Sequence, residues 1–209
     1  MTDPAGGATA ALIVVDLRSN LARRVLQGHY SVVPVPDSPI MADGKPVQAR
    51  RADGAAVMPQ TGVVPVACDR KGEWVYFGPA NGRTVYRIRA EHLRDTGLTP
   101  IELASRVDGY GEKPACVSMT IDNKGNLYFG DLAQNAISVL DAKEQKLRVY
   151  FSDPLISWPG GLCFGPDDKL YFFASQLHRS PFLNRGKNEV QPPIQLLRLK
   201  AIAGGQVGR

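Results

Sequence analysis

Residues 121–141 read IDNKGNLYFGDLAQNAISVLD. An apolar strand end meets a tight polar turn at Asn123-Lys124-Gly125, and the chain returns as a strand built round the aromatic pair Tyr128-Phe129. Such turn residues supply the backbone angles of a hairpin, and aromatic and β-branched residues suit a pleated surface. The same order recurs in CDRKGEWVYFGPANGRTVYRI from Cys68 and in FGPDDKLYFFASQLHR from Phe164, with turns at Arg70-Lys71-Gly72 and Pro166-Asp167-Asp168. Their aromatic pairs are Tyr76-Phe77 and Tyr171-Phe172. The aligned tyrosines 76, 128 and 171 stand 52 and then 43 positions apart. A unit of about 45 residues made of short strands is the size of a four-stranded propeller blade.

Laid along the chain, this unit predicts one complete blade over about 63–107 and a second over about 115–151, with three strands of another within 161–200. ALIVVDL (Ala11 to Leu17) and ARRVLQG (Ala22 to Gly28) read as the last two strands of an earlier blade. AEHLRDTGL (Ala90 to Leu98) reads as a short helical excursion before a last strand. The expected architecture is an all-β propeller of about three and a half four-stranded blades, belonging to a six-bladed plan. Residues 1–209 form one partial domain in this reading, with 1–10 and 201–209 as disordered ends. An open propeller exposes blade faces and strand edges, so the chain either belongs to a longer architecture or leaves self-association through those edges available.

The bulk properties narrow the function classes. The 209 residues include 44% apolar positions, 21 glycines and 16 prolines, a globular and turn-rich composition. The net charge of +5 comes from scattered arginine pairs, Arg23-Arg24 and Arg50-Arg51, not from a basic stripe interleaved with aromatics. A solvated basic surface accounts for it, and no nucleic-acid partner is expected. Cys68, Cys116 and Cys163 are odd in number and lack CxxC spacing, so buried free thiols are expected in place of a disulfide frame or zinc site. The start MTDPAGGATAALIVVDL carries an acid and a proline where an export signal would carry basic charge. No run approaches the roughly 20 apolar residues of a membrane span, so no membrane partner is expected either.

Four stretches resemble the major royal jelly protein and Yellow family, within the gluconolactonase-like six-bladed propellers. They are ARRVLQGH (Ala22 to His29), GEWVYFGPANGRTVYRI (Gly72 to Ile88), DNKGNLYFGDLAQNAI (Asp122 to Ile137) and LYFFASQLHRSPFLNRGKNEVQPPIQLLRLK (Leu170 to Lys200). The likeness runs from about Leu12 to Lys200, and its expected extent is the C-terminal half of a family member. The resemblance implies a secreted-type, non-catalytic propeller that binds a small organic molecule at its channel, since biogenic amines are bound by some Yellow relatives. It implies an extracellular location, although the chain as given carries no signal peptide and would be cytoplasmic if expressed so. It also implies an Asp-Gly pair opening each innermost strand, and here the sequence departs. Val64-Pro65, Val117-Ser118 and Gly160-Gly161 occupy those places, and Asp53-Gly54 is displaced by an apparent insertion. Valine and glycine side chains neither coordinate a cation nor act as a base.

Three function classes follow. The first is the ligand-binding propeller, with no cofactor. The second is a lactonase-like hydrolase of the gluconolactonase type, which would need a divalent cation such as calcium held by converging oxygens. The third is a degenerate, truncated relative without activity. Asp131, Gln134 and Asn135 follow the second aromatic strand and could face the channel mouth, although Asn and Asp there more often bond the backbone of a turn. DNKGN (Asp122 to Asn126) shares the opening of a calcium loop but lacks its closing Glu, and reads as a hairpin turn. His29 and His92 are expected at the surface. His178 lies past a blade strand with Ser175 and Gln176 beside it, where a propeller gathers ligand-facing loops. No G-x-S-x-G elbow surrounds Ser175, so ligand contact is favoured over nucleophilic chemistry. Trp158 either lines a pocket or packs between blades. The candidate ligand-binding set is therefore Asp131, Asn135, Trp158, Ser175, Gln176 and His178, with no catalytic or metal residue assigned.

Overall fold

The computed structural model describes residues 1–5 and 7–208. Its strands fall into four consecutive antiparallel sheets of three, four, four and three strands, joined in chain order. The first holds Thr2–Asp3, Ala11–Asp16 and Leu21–Val25. The second holds Val63–Cys68, Trp74–Pro79, Thr84–Arg89 and Asp108–Glu112. The third holds Met119–Ile121, Leu127–Asp131, Ala136–Leu140 and Leu147–Ser152. The fourth holds Pro159–Phe164, Lys169–Ala174 and Gln195–Lys200. The leading strands of the second, third and fourth sheets pack side by side, as the inner strands of adjoining blades do. The protein is an all-β propeller of about three and a half blades.

The aromatic pair explains why these sheets stack. Neighbouring residues on a strand point to opposite faces, so each pair serves two interfaces at once. Phe77 joins the cluster of Leu12, Val25 and Ile88 between the first and second sheets. Tyr76 faces the other way and meets Met119, Leu127 and Phe129 between the second and third. Phe129 thus looks back while Tyr128 looks forward to Phe164, Leu170 and Phe172 of the fourth sheet. In the second and third sheets the phenylalanine packs on the preceding sheet and the tyrosine on the following one, and Phe172 of the fourth likewise packs back on the third. Tyr171, the forward-facing residue of the fourth sheet, is half-buried and bonds Asp167 through its hydroxyl.

The residue after each pair responds to the same geometry. A Cβ on Gly130 would sit 2.3 Å from the Pro159 carbonyl oxygen, and one on Gly78 would sit 2.8 Å from that of Thr84. Phe173 holds the matching place in the fourth sheet and is 48% exposed, with no further blade packed against it among the described residues.

Several expectations need correction. The last strand of the second sheet begins at Asp108, just beyond the expected limit of 107. A second helix, Pro100–Ala104, precedes it after Ala90–Arg94. Its start is a capping box, with Thr99 accepting from the Glu102 amide, Glu102 accepting from Thr99, and Pro100 in the first turn. Leu93 and Leu103 lower both helices onto the first inter-blade cluster. The ends, expected as disordered, carry structure: Thr2 and Asp3 pair with Leu12 and Ala11, and Ala10 is fully buried. Gly205 bridges Asp122 and Val207 bridges Phe164. Gly6 and Arg209, parts of those same expected tails, lie outside the described residues. Of the three cysteines, expected to be buried, only Cys116 is, while Cys68 and Cys163 are half-buried.

Residues 26–62 form a long connection between the first and second sheets and cross the edge where the inner strands begin. Two small hairpins punctuate it, Met41–Ala42 with Lys45–Pro46 and Ala49–Arg50 with Ala56–Val57. Asp53-Gly54 is the tip of the second hairpin, with Asp53 accepting from the Ala55 amide. That pair is therefore turn chemistry and opens no inner strand.

Candidate functional site

The crossing connection is held by polar side chains from three successive blades. Asn81, buried at the end of an inner hairpin, accepts from the Val35 amide and donates to the Val35 and Ser38 carbonyls. Asn135 and His178, from the corresponding connections of the third and fourth sheets, both reach Asp43. Asp43 and Gly44 have φ of 49° and 71°, the left-handed pair that a two-residue hairpin turn requires. The turn thus pushes one carboxylate outward at a defined point.

That carboxylate is crowded with donors. Asn135 Nδ2 donates at 3.1 Å, His178 Nε2 at 2.8 Å, and Arg179 donates from Nε at 3.0 Å and from Nη2 at 2.7 Å. Desolvation opposes ionisation of Asp43, but the bonds from His178, Asn135 and Arg179 outweigh it and hold the carboxyl well below the usual carboxylate range. The His178 ring is buried and stacks on Trp158, with centroids 5.6 Å apart and planes 18° off parallel. Its Nδ1 and the Asn135 Oδ1 are buried without a hydrogen-bond partner among the described residues.

Beneath this polar clasp lies an apolar plug. Ile40, Ala42 and Val47 of the connection pack with Ala80, Leu132, Trp158 and Leu183, and Val64 and Val117 pack against the same cluster. These valines are two of the residues standing where Asp-Gly pairs were expected. The replacement has a packing reason, because both partly buried valines add apolar area to that cluster. At the third such position, a Cβ on Gly160 would meet nothing within 4 Å.

Of the six expected site residues, three converge on Asp43: Asn135 and His178 directly, and Trp158 through its stack on His178. The other three do not reach Asp43 themselves, although Gln176 Oε1 accepts from Arg179 Nη1 at 3.3 Å. Asp131 accepts from the amides of Ala133 and Gln134 and from the side chains of Gln134 and Ser138. Ser175 Oγ donates to the Trp158 carbonyl, and Gln176 clasps both the carbonyl and the amide of Gln191. DNKGN is the hairpin turn expected, closed by Asp122 accepting from Lys124 and Asn126 amides. His29 and His92, expected at the surface, are half-buried, and His29 Nδ1 pairs with Ser31 Oγ at 2.8 Å. Sequence reading missed Asp43 and Arg179. The only local signal was the Ala-Asp-Gly-Lys turn at 42–45.

Between the Asp43 hairpin and the loop 178–189 opens a cavity of about 440 Å³. Ala42, Val47 and Leu183 supply its apolar floor, and Lys45, Arg185, Lys187 and Glu189 stand in its wall. The volume falls within the usual range for small organic ligands.

The family model for major royal jelly proteins matches residues 1–207. The chain belongs to the major royal jelly protein family. Comparison with curated proteins finds no match. Among solved structures, a gluconolactonase from Xanthomonas campestris is 14% identical with a TM-score of 0.47, over 82% of this chain and 58% of that one. Hydrazine synthase from Kuenenia stuttgartiensis is 16% identical with a TM-score of 0.42, over 78% of this chain and 46% of that one. Regucalcin, a calcium-binding protein from Agrobacterium tumefaciens, is 9% identical with a TM-score of 0.43, over 99% of this chain and 76% of that one. The chain thus spans about half the length of the first two.

For this member of the royal jelly family, the clasp makes a pH prediction. A carboxyl whose folded pKa is depressed contributes stability that is complete above its unfolded value, near 4, and is lost as pH falls through the folded value. Thermal melting of the wild type and of Asp43→Asn should therefore differ most above about pH 5 and converge progressively below pH 4. A gap between the two that stays constant down to pH 2 would contradict the clasp.

Proposed function

We propose that this royal jelly family propeller binds a small organic molecule in the mouth cavity and does not transform it. The observation that carries the reading is the state of the one histidine-carboxylate pair found among the described residues. His178 Nε2 is committed to Asp43, its Nδ1 is sealed from solvent, and its ring is flattened on Trp158. A general base needs a nitrogen within reach of a substrate proton, and neither is free to make that contact. The neighbouring Ser175 hydroxyl is spent on a backbone carbonyl. The cavity beside the clasp nevertheless combines an apolar floor with polar walls, the usual make-up of a binding site.

A thermal-shift panel of aromatic amines, aromatic carboxylates, polyols and lactones tests this, alongside a lactone hydrolysis assay with and without chelator. A ligand at a hundredfold its Kd stabilises by about 2.7 kcal/mol, which corresponds to roughly 5–10 °C for a domain of this size. Asn184→Trp, which drives an indole into the cavity, should remove the shift. Chelator-sensitive hydrolysis, or the absence of any shift across the panel, overturns the reading.

A further inference from the structure

We infer that the mouth cavity takes a small organic anion, a carboxylate or phosphate borne on an apolar body, in preference to an amine. This rests on the reading of the cavity as a ligand site and deepens it. Both carboxylates in the cavity wall already accept hydrogen bonds, Asp43 from a guanidinium among others and Glu189 from a neutral amide. Asp43 accepts from His178, Arg179 and Asn135, and Glu189 accepts from Asn184 Nδ2 at 3.0 Å. An incoming ammonium would have to compete with the Arg179 guanidinium for Asp43, at the cost of leaving a half-buried cation unpaired.

The cations are in the opposite condition. Lys45, Arg185 and Lys187 line the cavity, are exposed, and form no hydrogen bond or ion pair through their side chains among the described residues. They come from two elements, the mouth hairpin and the loop after the fourth sheet's second strand, which the Gln48–Asn184 bridge and the Arg185 amide bond to Gln48 hold together. That backbone pairing keeps the two segments that carry them side by side. Three uncommitted positive charges round a concave site attract anions, and an arginine matches the paired oxygens of a carboxylate or phosphate. The buried Ala42, Val47 and Leu183 below them add a place for a hydrocarbon or aromatic body.

Isothermal titration with isosteric probes decides the matter. The probes are 3-phenylpropionate, phenyl phosphate, 3-phenylpropylamine and inorganic phosphate, used on the full chain at low and high salt. Phenylpropionate or phenyl phosphate should bind at least tenfold more tightly than the amine and than inorganic phosphate, with affinity falling as salt rises. The Lys45→Gln, Arg185→Gln, Lys187→Gln triple variant should lose at least tenfold in anion affinity with an unchanged melting temperature. Tighter binding of the amine, or anion binding untouched by the triple variant, overturns the charge preference while leaving a ligand site in place. Equal binding of inorganic phosphate and phenyl phosphate overturns the apolar part. Binding of no probe, in a protein that melts normally, overturns the ligand-site reading itself.

Discussion

Trp158→Ala should lower the unfolding free energy by about 3–5 kcal/mol, the largest single-residue loss expected in the mouth region. Trp158 is 3% exposed and packs with Ile40, Ala42, Leu132 and Leu183 in the plug. Removing it empties the space between the crossing connection and the blades, and it also strips the stacking partner from His178. Its backbone carries φ of 57°, a strain that alanine would share, so the change isolates the side chain. Denaturant titration is the direct measurement, and a melting point lower by on the order of 10 °C should accompany it. Trp158→Phe keeps most of the volume and should recover more than half of the loss. A cost under about 1 kcal/mol for alanine would mean that the mouth connection is an ornament and not part of the core.

Gly130→Ala is the second large effect, and it probes the frame in place of the mouth. The added methyl would sit 2.3 Å from the Pro159 carbonyl oxygen, where the second strand of the third sheet meets the inner strand of the fourth. Both colliding groups are backbone or Cβ, so no rotamer change relieves the clash and the two blades must separate. A loss of about 3 kcal/mol or more is expected by denaturant titration. Gly160→Ala makes the control, because its Cβ meets nothing within 4 Å and its φ is not in the left-handed region. That substitution should change stability by less than about 1 kcal/mol.

The frame was legible because its signals are local. Turn, strand and aromatic pair repeat within about fifteen residues, and alternation along a strand assigns Tyr128 and Phe129 to opposite faces before any contact is known. The clasp was half legible. Asn135 and His178 follow recognisable strand ends and Trp158 directly precedes the strand Pro159–Phe164, so their edge of the propeller could be read. Their common partner could not, since Asp43 lies 135 positions from His178 in a connection with no apolar period. Asp131, Ser175 and Gln176 stand at the same edge with the same polarity, yet none of them bonds Asp43: Asp131 closes its own turn, Ser175 holds the Trp158 carbonyl, and Gln176 holds Gln191 and Arg179. Which polar residue reaches outward and which folds back on its own turn is decided by side-chain direction, and composition is silent on that. The ends were misread for a related reason. Short polar and Gly-rich segments look unstructured until a partner strand, such as Ala11–Asp16 for Thr2 and Asp3, gives them a ladder to join.

Val64 and Val117 give the propeller axis a different role from the one its architecture suggests. Where inner strands open on acidic pairs, the axis is polar real estate on which chemistry can be varied without touching the blades. Here the same positions belong to a hydrophobic cluster shared with the crossing connection. Mutational tolerance at residues 64 and 117 should then follow side-chain volume and not charge or ligand chemistry. Novelty in binding is correspondingly displaced outward, to the hairpin at 41–46 and the loop at 178–189, where residues can change without reopening the centre.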